Sequence, residues 1–214
     1  QHPLVSTRIF EALEKGATLY VVDPRKIRLT DFAHGYAPIE PGTNLPMVNA
    51  MIHVIIEENL ADEDFIRTRT ENYEEMKQSV IDCTPEWAES ISKVPADTIR
   101  QFARKYATTD KAMILFTMGV TQQTTAVKTI RALANLAMMT NHLGRPSTGI
   151  NPLRGQNNVQ GAGDMGALPD FLPGYQRPEQ PATNERFCLI WGDFSCLRGN
   201  NIIQMFNLID EGKM

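Results

Sequence analysis

The sequence predicts an α/β fold with a mainly parallel sheet that helices cover on both faces, as in doubly wound proteins. Short runs of β-branched and aromatic residues, Ala17 to Asp23 and Ala112 to Phe116, alternate with stretches of helical periodicity. The chain has 214 residues, of which 42% are hydrophobic, and this is enough to bury a sizeable core. We therefore expect a single domain over residues 1–214.

A helix and two strands are predicted in the first 40 residues. Apolar residues at helical spacing over 5–13 predict the helix, which Gly16 ends. Ala17 to Asp23 follows as a buried parallel strand, stopped by Pro24. Gly35 to Ile39 is a second, shorter strand.

Helices dominate the middle of the chain. A turn at 41–44 precedes a helix whose apolar stripe spans 48–55. Periodicity predicts three further helices, around 62–67, 73–80 and 99–106. The strand Ala112 to Phe116 then leads through 117–122 to a long helix from Gln123 to His142, which Gly144 and Pro146 end.

Charge and hydropathy exclude two classes of partner. Lys and Arg number 21 against 25 Asp and Glu, a formal net charge of −4, and no basic stripe is present that could bind nucleic acid. No stretch of 18 or more apolar residues occurs, so we predict no membrane span.

Cysteine and histidine form no metal-ligand or nucleophile motif. The three cysteines have neither disulfide-framework nor zinc spacing: Cys83, Cys188 and Cys196. The four histidines stand apart from one another, and none has a second ligand beside it: His2, His34, His53 and His142. We therefore predict no metal ligand in this chain and no hydrolase chemistry.

Residues 144–176 are the most unusual stretch. They hold seven of the fourteen glycines and four of the thirteen prolines, and no helix or strand period is evident. We expect a long loop, ordered and partly buried because apolar residues such as Ile150, Leu168 and Phe171 are spread through it. Long irregular loops in compact domains are usually functional.

Within this loop, Arg154 stands among five carboxamide side chains and two glycines between 151 and 161. An arginine can hold a carboxylate or phosphate through two hydrogen bonds, and carboxamides can recognise the edge of a heterocycle. The pattern indicates anion and heterocycle binding. The alternative is an arginine that pins the coil by bonding to backbone carbonyls.

Two strand ends are further candidates, because open α/β sheets bind ligands at the carboxyl ends of their strands. Asp23 to Arg25 follows the first strand, and Met118 to Gln122 follows the Ala112 to Phe116 strand. Gly119 could bring a phosphate onto free N–H groups, and Asp23 could accept a hydrogen bond from a ribose hydroxyl or a purine amine. The alternative is a turn glycine and an aspartate that caps local backbone.

The segment NPLRGQNNVQGAGDMGALPDFLPGYQ, 151–176, resembles the catalytic (alpha) subunits of formate dehydrogenases, which are molybdopterin oxidoreductases. The likeness extends to HPLVSTRIFEALEKGATLYVVDPRK, PGTNLPMVNAMIHVIIEENLAD and MGVTQ, and RGQNNVQGA is its most specific part. The resemblance implies a three-layer αβα domain of the Rossmann-like formate dehydrogenase/DMSO reductase topology. This would be the central domain of a larger subunit, and would cradle one half of a bis(molybdopterin guanine dinucleotide) cofactor that carries molybdenum or tungsten.

The resemblance also implies roles for single residues. Arg154 matches the arginine that lies at the metal and orients formate or its product, and Gln156 matches a pterin-contacting glutamine. The other positions match three cofactor-contacting segments: Asp23, Pro24 and Arg25 the strand end around the guanosine, Gly42 and Asn44 a dinucleotide-contacting turn, and Met118, Gly119 and Gln122 the loop beside the pterin and pyrophosphate.

By the same resemblance the intact enzyme oxidises formate to CO₂ and passes electrons to iron–sulfur clusters. The family's 4Fe-4S domain and its metal-ligating cysteine or selenocysteine are not in this sequence. We therefore expect a piece of a longer polypeptide, inactive alone, whose partners are the rest of the subunit and an iron–sulfur electron-transfer subunit. The implied compartment is the cytoplasm, with the periplasm left open. The alternatives are another molybdopterin oxidoreductase, such as a nitrate reductase, or a non-catalytic nucleotide-binding module.

Overall fold

The computed structural model of the protein describes residues 2–193 and 197–214. The described chain divides into two compact units, 2–153 and 154–214. Cys196, one of the three cysteines considered for metal binding, lies outside the described residues. No helix of the described residues is long and apolar enough to cross a membrane.

The first unit contains most of the regular structure. Its elements in chain order are α1 (Pro3–Glu14), β1 (Tyr20–Val22), a 3-10 helix (Arg28–Phe32), β2 (Gly35–Ala37), α2 (Asn44–Glu57), α3 (Glu63–Arg69), α4 (Tyr73–Ser79), α5 (Pro85–Ser92), α6 (Ala96–Thr108), β3 (Met113–Phe116), α7 (Met118–Thr121), α8 (Ala126–Met139) and β4 (Gly149–Pro152). The second unit contains α9 (Val159–Asp164), α10 (Pro181–Trp191) and α11 (Ile202–Asp210).

The strands pair in parallel, and the predicted α/β class is confirmed. β1 pairs with β2, with Val22 opposite Ala37, and β3 pairs with β4, with Phe116 opposite Pro152. The described residues thus form two separate two-stranded sheets.

The prediction that the first strand is buried is wrong on one face. Val21 is buried, whereas Tyr20 and Val22 are 37% and 42% exposed. Side chains alternate between the two faces of a strand, so the face that carries Tyr20 and Val22 is only partly covered within this chain.

The core of the first unit is built around α2, which packs against α5, α6 and α8. Met47, Ile52 and Ile55 on α2 are almost fully buried, together with Ile99 on α6 and Leu136 on α8. Burying each such side chain stabilises the fold by roughly 1.5–3 kcal/mol. Because α2 is anchored in this core, the core fixes the position of the first turn of α2 and of the neighbouring strand ends.

The prediction that 144–176 lacks regular structure needs correction. β4 occupies 149–152 and α9 occupies 159–164. β4 is a strand because it pairs with the distant β3, and a four-residue sequence of Gly, Ile, Asn and Pro carries no period that would predict this. α9 contains two glycines, which lowers its intrinsic helix propensity.

Candidate functional site

The strand end at Asp23 is tied to its own backbone and to β2. Oδ1 of Asp23 accepts a hydrogen bond of 2.8 Å from the backbone N–H of Arg25, across Pro24. The hydroxyl of Tyr36 donates to the carbonyl of Asp23 at 3.0 Å. The aspartate therefore caps local backbone, as the alternative interpretation states, while the Arg25 side chain is exposed beyond it.

Gly42 and Asn44 lie at the start of α2, just after β2. Gly42 has φ +88°, a left-handed conformation that glycine adopts without strain, and open space lies beside its Cα. Thr43 is the N-cap of α2 but its side chain makes no capping bond. The N–H groups of Asn44 and Leu45 therefore stand at the positive end of a 14-residue helix, an arrangement that favours anions.

Met118 and Gly119 form part of a one-turn helix, where the sequence predicts a loop. Thr117 caps α7, since its Oγ1 accepts from the N–H of Met118. Gly119 is exposed, and within 2–193 and 197–214 no atom lies within 4 Å of where a Cβ would stand. Gln122 follows as the exposed C-cap of α7. The long helix begins only at Ala126, because this extra turn intervenes.

Gln123, which the sequence interpretation did not single out, joins two of these candidate segments. Its Nε2 donates to Oδ1 of Asn44 at 3.1 Å and also to the carbonyl of Gly119. Its Oε1 is buried and has no hydrogen-bond partner among the described residues. In the sequence, Gln123 could have been found only from its position directly after the candidate stretch Met118 to Gln122. The structure thus brings Asn44 and Gly119 together through one carboxamide.

Arg154 belongs to the second unit and bonds to a side chain. Its Nε and Nη2 donate to Oε1 of Gln160 at 3.2 and 2.7 Å. The alternative interpretation, in which Arg154 bonds to backbone carbonyls, has no such bond to support it in the described part of the chain. The residue is exposed, and no carboxylate among the described residues lies within 4.0 Å of its guanidinium nitrogens.

Gln160 is held in turn by two further residues of the second unit. Its Nε2 donates to Oδ1 of Asp164 at 3.0 Å and to the hydroxyl of Tyr175 at 3.1 Å. The Tyr175 ring contacts that of Phe171 edge to face, with 5.7 Å between centroids. Gln156 lies in the exposed bend between Arg154 and α9. The sequence analysis singled out Arg154 and Gln156, but it did not predict the hydrogen bonds that join Gln160 to Arg154, Asp164 and Tyr175.

His142 and His53 hydrogen-bond to groups of the protein itself. His142 is buried, with Nε2 2.9 Å from the carbonyl of Thr109 and Nδ1 2.9 Å from Oγ1 of Thr140, and burial lowers its pKa. Nδ1 of His53 lies 3.0 Å from the carbonyl of Val80. Within 2–193 and 197–214, no group of three or more His, Cys, Asp and Glu residues could hold a metal ion.

The comparison with protein families matches the chain over its full length. Residues 1–214 match the model described as molybdopterin oxidoreductase. The chain belongs to the molybdopterin oxidoreductase family. This membership implies a molybdopterin cofactor with molybdenum or tungsten.

Several curated relatives of the chain within this molybdopterin oxidoreductase family are formate dehydrogenases. The chain is 50% identical over 191 residues to formate dehydrogenase H of Escherichia coli, and covers 27% of that protein with 89% of its own length. It is 47% identical over 191 residues to the F420-dependent formate dehydrogenase 1 subunit alpha of Methanococcus maripaludis, again with 89% of its length and 28% of that relative. The chain therefore spans little more than a quarter of these relatives.

The fold of this chain is similar to part of a solved structure. Acetylene hydratase from Pelobacter acetylenicus superposes with a TM-score of 0.62 at 28% identity, over 64% of this chain and 19% of that one. The similarity connects the α/β fold described here to another member of known structure.

The first unit fits the implied molybdopterin cofactor at two points. The uncapped start of α2 offers backbone N–H donors beside Gly42, where no atom of the described residues lies within 4 Å of where a Cβ would stand. The buried, unpartnered Oε1 of Gln123 offers an acceptor next to Asn44 and Gly119. Leaving a buried polar atom unpaired costs about 1–3 kcal/mol, so a donor on a bound group would stabilise this arrangement.

Proposed function

We propose that this chain is the central, dinucleotide-binding part of the catalytic subunit of a molybdenum or tungsten formate dehydrogenase, which oxidises formate to CO₂. The observation that carries the proposal is Arg154, an exposed guanidinium held by a neutral carboxamide and paired with no carboxylate of the described chain. Formate dehydrogenases among the curated relatives, 47% and 50% identical over 89% of the chain, support it.

The chemistry of formate explains why an arginine suits this role. Formate is a one-carbon anion with almost no apolar surface, so a cation must supply most of its orientation. A planar guanidinium can bind both carboxylate oxygens at once, which a lysine ammonium cannot do with the same geometry. Oxidation of one formate yields CO₂, one proton and two electrons. Because CO₂ is neutral, Arg154 attracts the substrate more strongly than the product.

Two groups of residues in the first unit would hold the cofactor, a bis(molybdopterin guanine dinucleotide). The N–H groups at the start of α2, with Gly42 and Asn44, suit a pyrophosphate or a pterin amide, and Gly119, Met118 and Gln122 line the neighbouring turn. The bound cofactor supplies the two-electron redox chemistry.

The remaining candidate positions would recognise the ends of the same cofactor. Asp23 and Arg25, at the strand end beyond Pro24, would contact the guanosine, for which the exposed Arg25 side chain and the second oxygen of Asp23 are suited. In the second unit, Gln156 would recognise the edge of a pterin as donor and acceptor together.

Electron transfer requires parts that this sequence does not contain. We propose that the rest of the subunit supplies a 4Fe-4S cluster and the metal-ligating cysteine or selenocysteine, and that an iron–sulfur subunit receives the electrons.

The test uses the full-length subunit, loaded with cofactor, and the variant Arg154→Lys. We expect kcat/KM for formate to fall by about 10²-fold, because the two-point contact is lost, while metal and pterin content are unchanged. Arg131→Lys, an exposed arginine on α8, is the matched control and should leave both quantities unaltered. Full activity in Arg154→Lys would remove Arg154 from this role. If the wild-type enzyme reduces nitrate and does not oxidise formate, the assignment of formate as the substrate is wrong.

A further inference from the structure

The bonds to Gln160 occupy one edge of the Arg154 guanidinium. Nε and Nη2 lie on the same edge of the planar group, and both donate to Oε1 of Gln160. The other edge, formed by Nη1 and the second hydrogen of Nη2, makes no hydrogen bond in the described part of the chain. A carboxylate can bind this second edge through two parallel hydrogen bonds.

The orientation of the Gln160 carboxamide is fixed by its other bonds. Asp164 accepts from Nε2 at 3.0 Å, and an ionised carboxylate can only accept. If the amide were reversed, its oxygen would face the Asp164 carboxylate and its NH₂ group would face the Arg154 donors. The observed orientation, in which Tyr175 also accepts from Nε2, is therefore the one that pairs both Asp164 and the Arg154 edge with opposite partners.

A neutral acceptor holds Arg154 without cancelling its charge. Arginines in proteins are commonly held by carboxylates, which would reduce the attraction for an anionic substrate. Here the nearest acid of the network, Asp164, bonds to the far side of the amide, and no carboxylate of the described residues is within 4.0 Å of Arg154. Gln160 and Asp164 are four residues apart on α9, so the helix sets their spacing.

We propose that Gln160 is the positioning residue of the formate site. Fixed by Asp164 and Tyr175, it holds one edge of Arg154 and leaves the other edge, with its full positive charge, to a small carboxylate. This inference rests on the proposed role of Arg154 in binding formate. It adds that a neutral partner is required, and that a carboxylate at the same place competes with the substrate.

The test compares Gln160→Glu with Gln160→Met in the full-length, cofactor-loaded enzyme. Gln160→Glu keeps the size of the side chain and can still bond to Arg154 and to the Tyr175 hydroxyl, but it adds a charge and puts an oxygen in place of the donor to Asp164. We expect it to raise KM for formate by about tenfold or more while kcat changes less than threefold. Gln160→Met removes the acceptor without adding charge, and we expect kcat to fall more than KM rises, because Arg154 is no longer held in place.

Anion binding gives a readout that does not depend on turnover. Nitrite has a bent O–N–O group of the same shape as the formate carboxylate, and its dissociation constant can be measured by calorimetry. We expect this constant to rise about tenfold in Gln160→Glu. Gln101→Glu makes the same chemical change at an exposed residue on α6. It should leave the KM for formate and the dissociation constant of nitrite within twofold of wild type.

The outcomes separate this inference from the proposed function. If Arg154→Lys is inactive but Gln160→Glu binds formate and nitrite as wild type does, the positioning role is wrong and the function stands. If Arg154→Lys is fully active, the proposed role of Arg154 fails and this inference fails with it. If Gln160→Glu does not load cofactor, Gln160→Met decides: a fall in kcat of fivefold or more supports the role, and wild-type kcat overturns it.

Discussion

Gln123 and Asn44, 79 positions apart, are joined by a hydrogen bond of 3.1 Å from Nε2 to Oδ1. The same Nε2 reaches the carbonyl of Gly119, so the start of α2 and the α7 turn are held by one side chain. Oε1 of Gln123 is left buried and unpartnered among the described residues. The bridge therefore connects two segments proposed to contact the cofactor, and leaves one acceptor for it.

Replacing this carboxamide should weaken both the fold and cofactor retention. In cofactor-loaded Gln123→Leu, where wild-type Oε1 has a partner on the cofactor, we expect the free energy of unfolding to fall by about 1 kcal/mol, since Oδ1 of Asn44 loses its donor. In the full-length subunit we expect lower metal and pterin content, measured by elemental analysis and pterin fluorescence. Gln101→Leu, on the exposed face of α6, is the matched control. Wild-type cofactor content in Gln123→Leu would contradict the proposed contact.

A side chain at Gly35 should destabilise the first unit. A Cβ there would lie 2.7 Å from Cδ1 of Tyr20 and 2.8 Å from Cε1 of Phe102, so both rings would have to move. We expect Gly35→Ala to lower the free energy of unfolding by about 1–3 kcal/mol, measured by urea denaturation. Gly119→Ala is the control, because its Cβ would meet no atom of the described chain within 4 Å and its φ is not positive. Equal stability of the two variants would be inconsistent with this packing.

The Asp62 side chain should contribute more to the stability of the fold than the Asp64 side chain does. Its Oδ1 caps α3 by accepting from the N–H of Phe65 at 2.8 Å, and its Oδ2 accepts from Asn141 at 2.9 Å. We expect Asp62→Ala to cost about 1–2 kcal/mol in thermal or urea unfolding. Asp64→Ala removes only an exposed ion pair with Arg67 and should change stability little. The prediction fails if the two variants are equally stable.

The His142 imidazole should make stability fall in acid. Burial lowers its pKa in the fold, and its ring nitrogens face Thr109 and Thr140, while the Tyr106 ring packs on it at 4.7 Å between centroids. The unfolded chain binds a proton near pH 6.5, the folded chain only at lower pH. The stability from neutral His142 is thus complete above about pH 7 and is lost as pH falls through 6.5 toward the folded pKa.

We would measure this as the difference in unfolding free energy between wild type and His142→Gln at several pH values. Above about pH 7.5 we expect a constant advantage for wild type of about 1–3 kcal/mol, because the variant leaves the Thr109 carbonyl or the Thr140 hydroxyl poorly paired. Between pH 7 and pH 5 the advantage should shrink. A difference that stays constant over this range would show that His142 is not held neutral by the fold.

Local features of the sequence predicted α1, α2, α3, α4, α6 and α8 and three of the four strands of the described residues. The helix over 5–13, the run 17–23 and the stripe over 48–55 correspond to α1, β1 and α2. These elements could be predicted from the sequence because hydrophobic periodicity and helix-terminating residues act within a few positions of the chain. Elements with weak local signals were missed, among them β4, α5, α9 and α10, and the long helix proved shorter at both ends.

The sequence by itself determined the α/β class and the chemistry available at Arg154, because both depend on residue type and short-range order. It also carried the resemblance that the family match confirmed. Tertiary structure alone decided what each candidate side chain bonds to: the Asn44 partner lies 79 residues away, and the Arg154 partner is fixed by Asp164 and Tyr175. Hydrogen bonds need donor and acceptor within about 3 Å, and only the folded chain sets such distances between residues far apart in sequence.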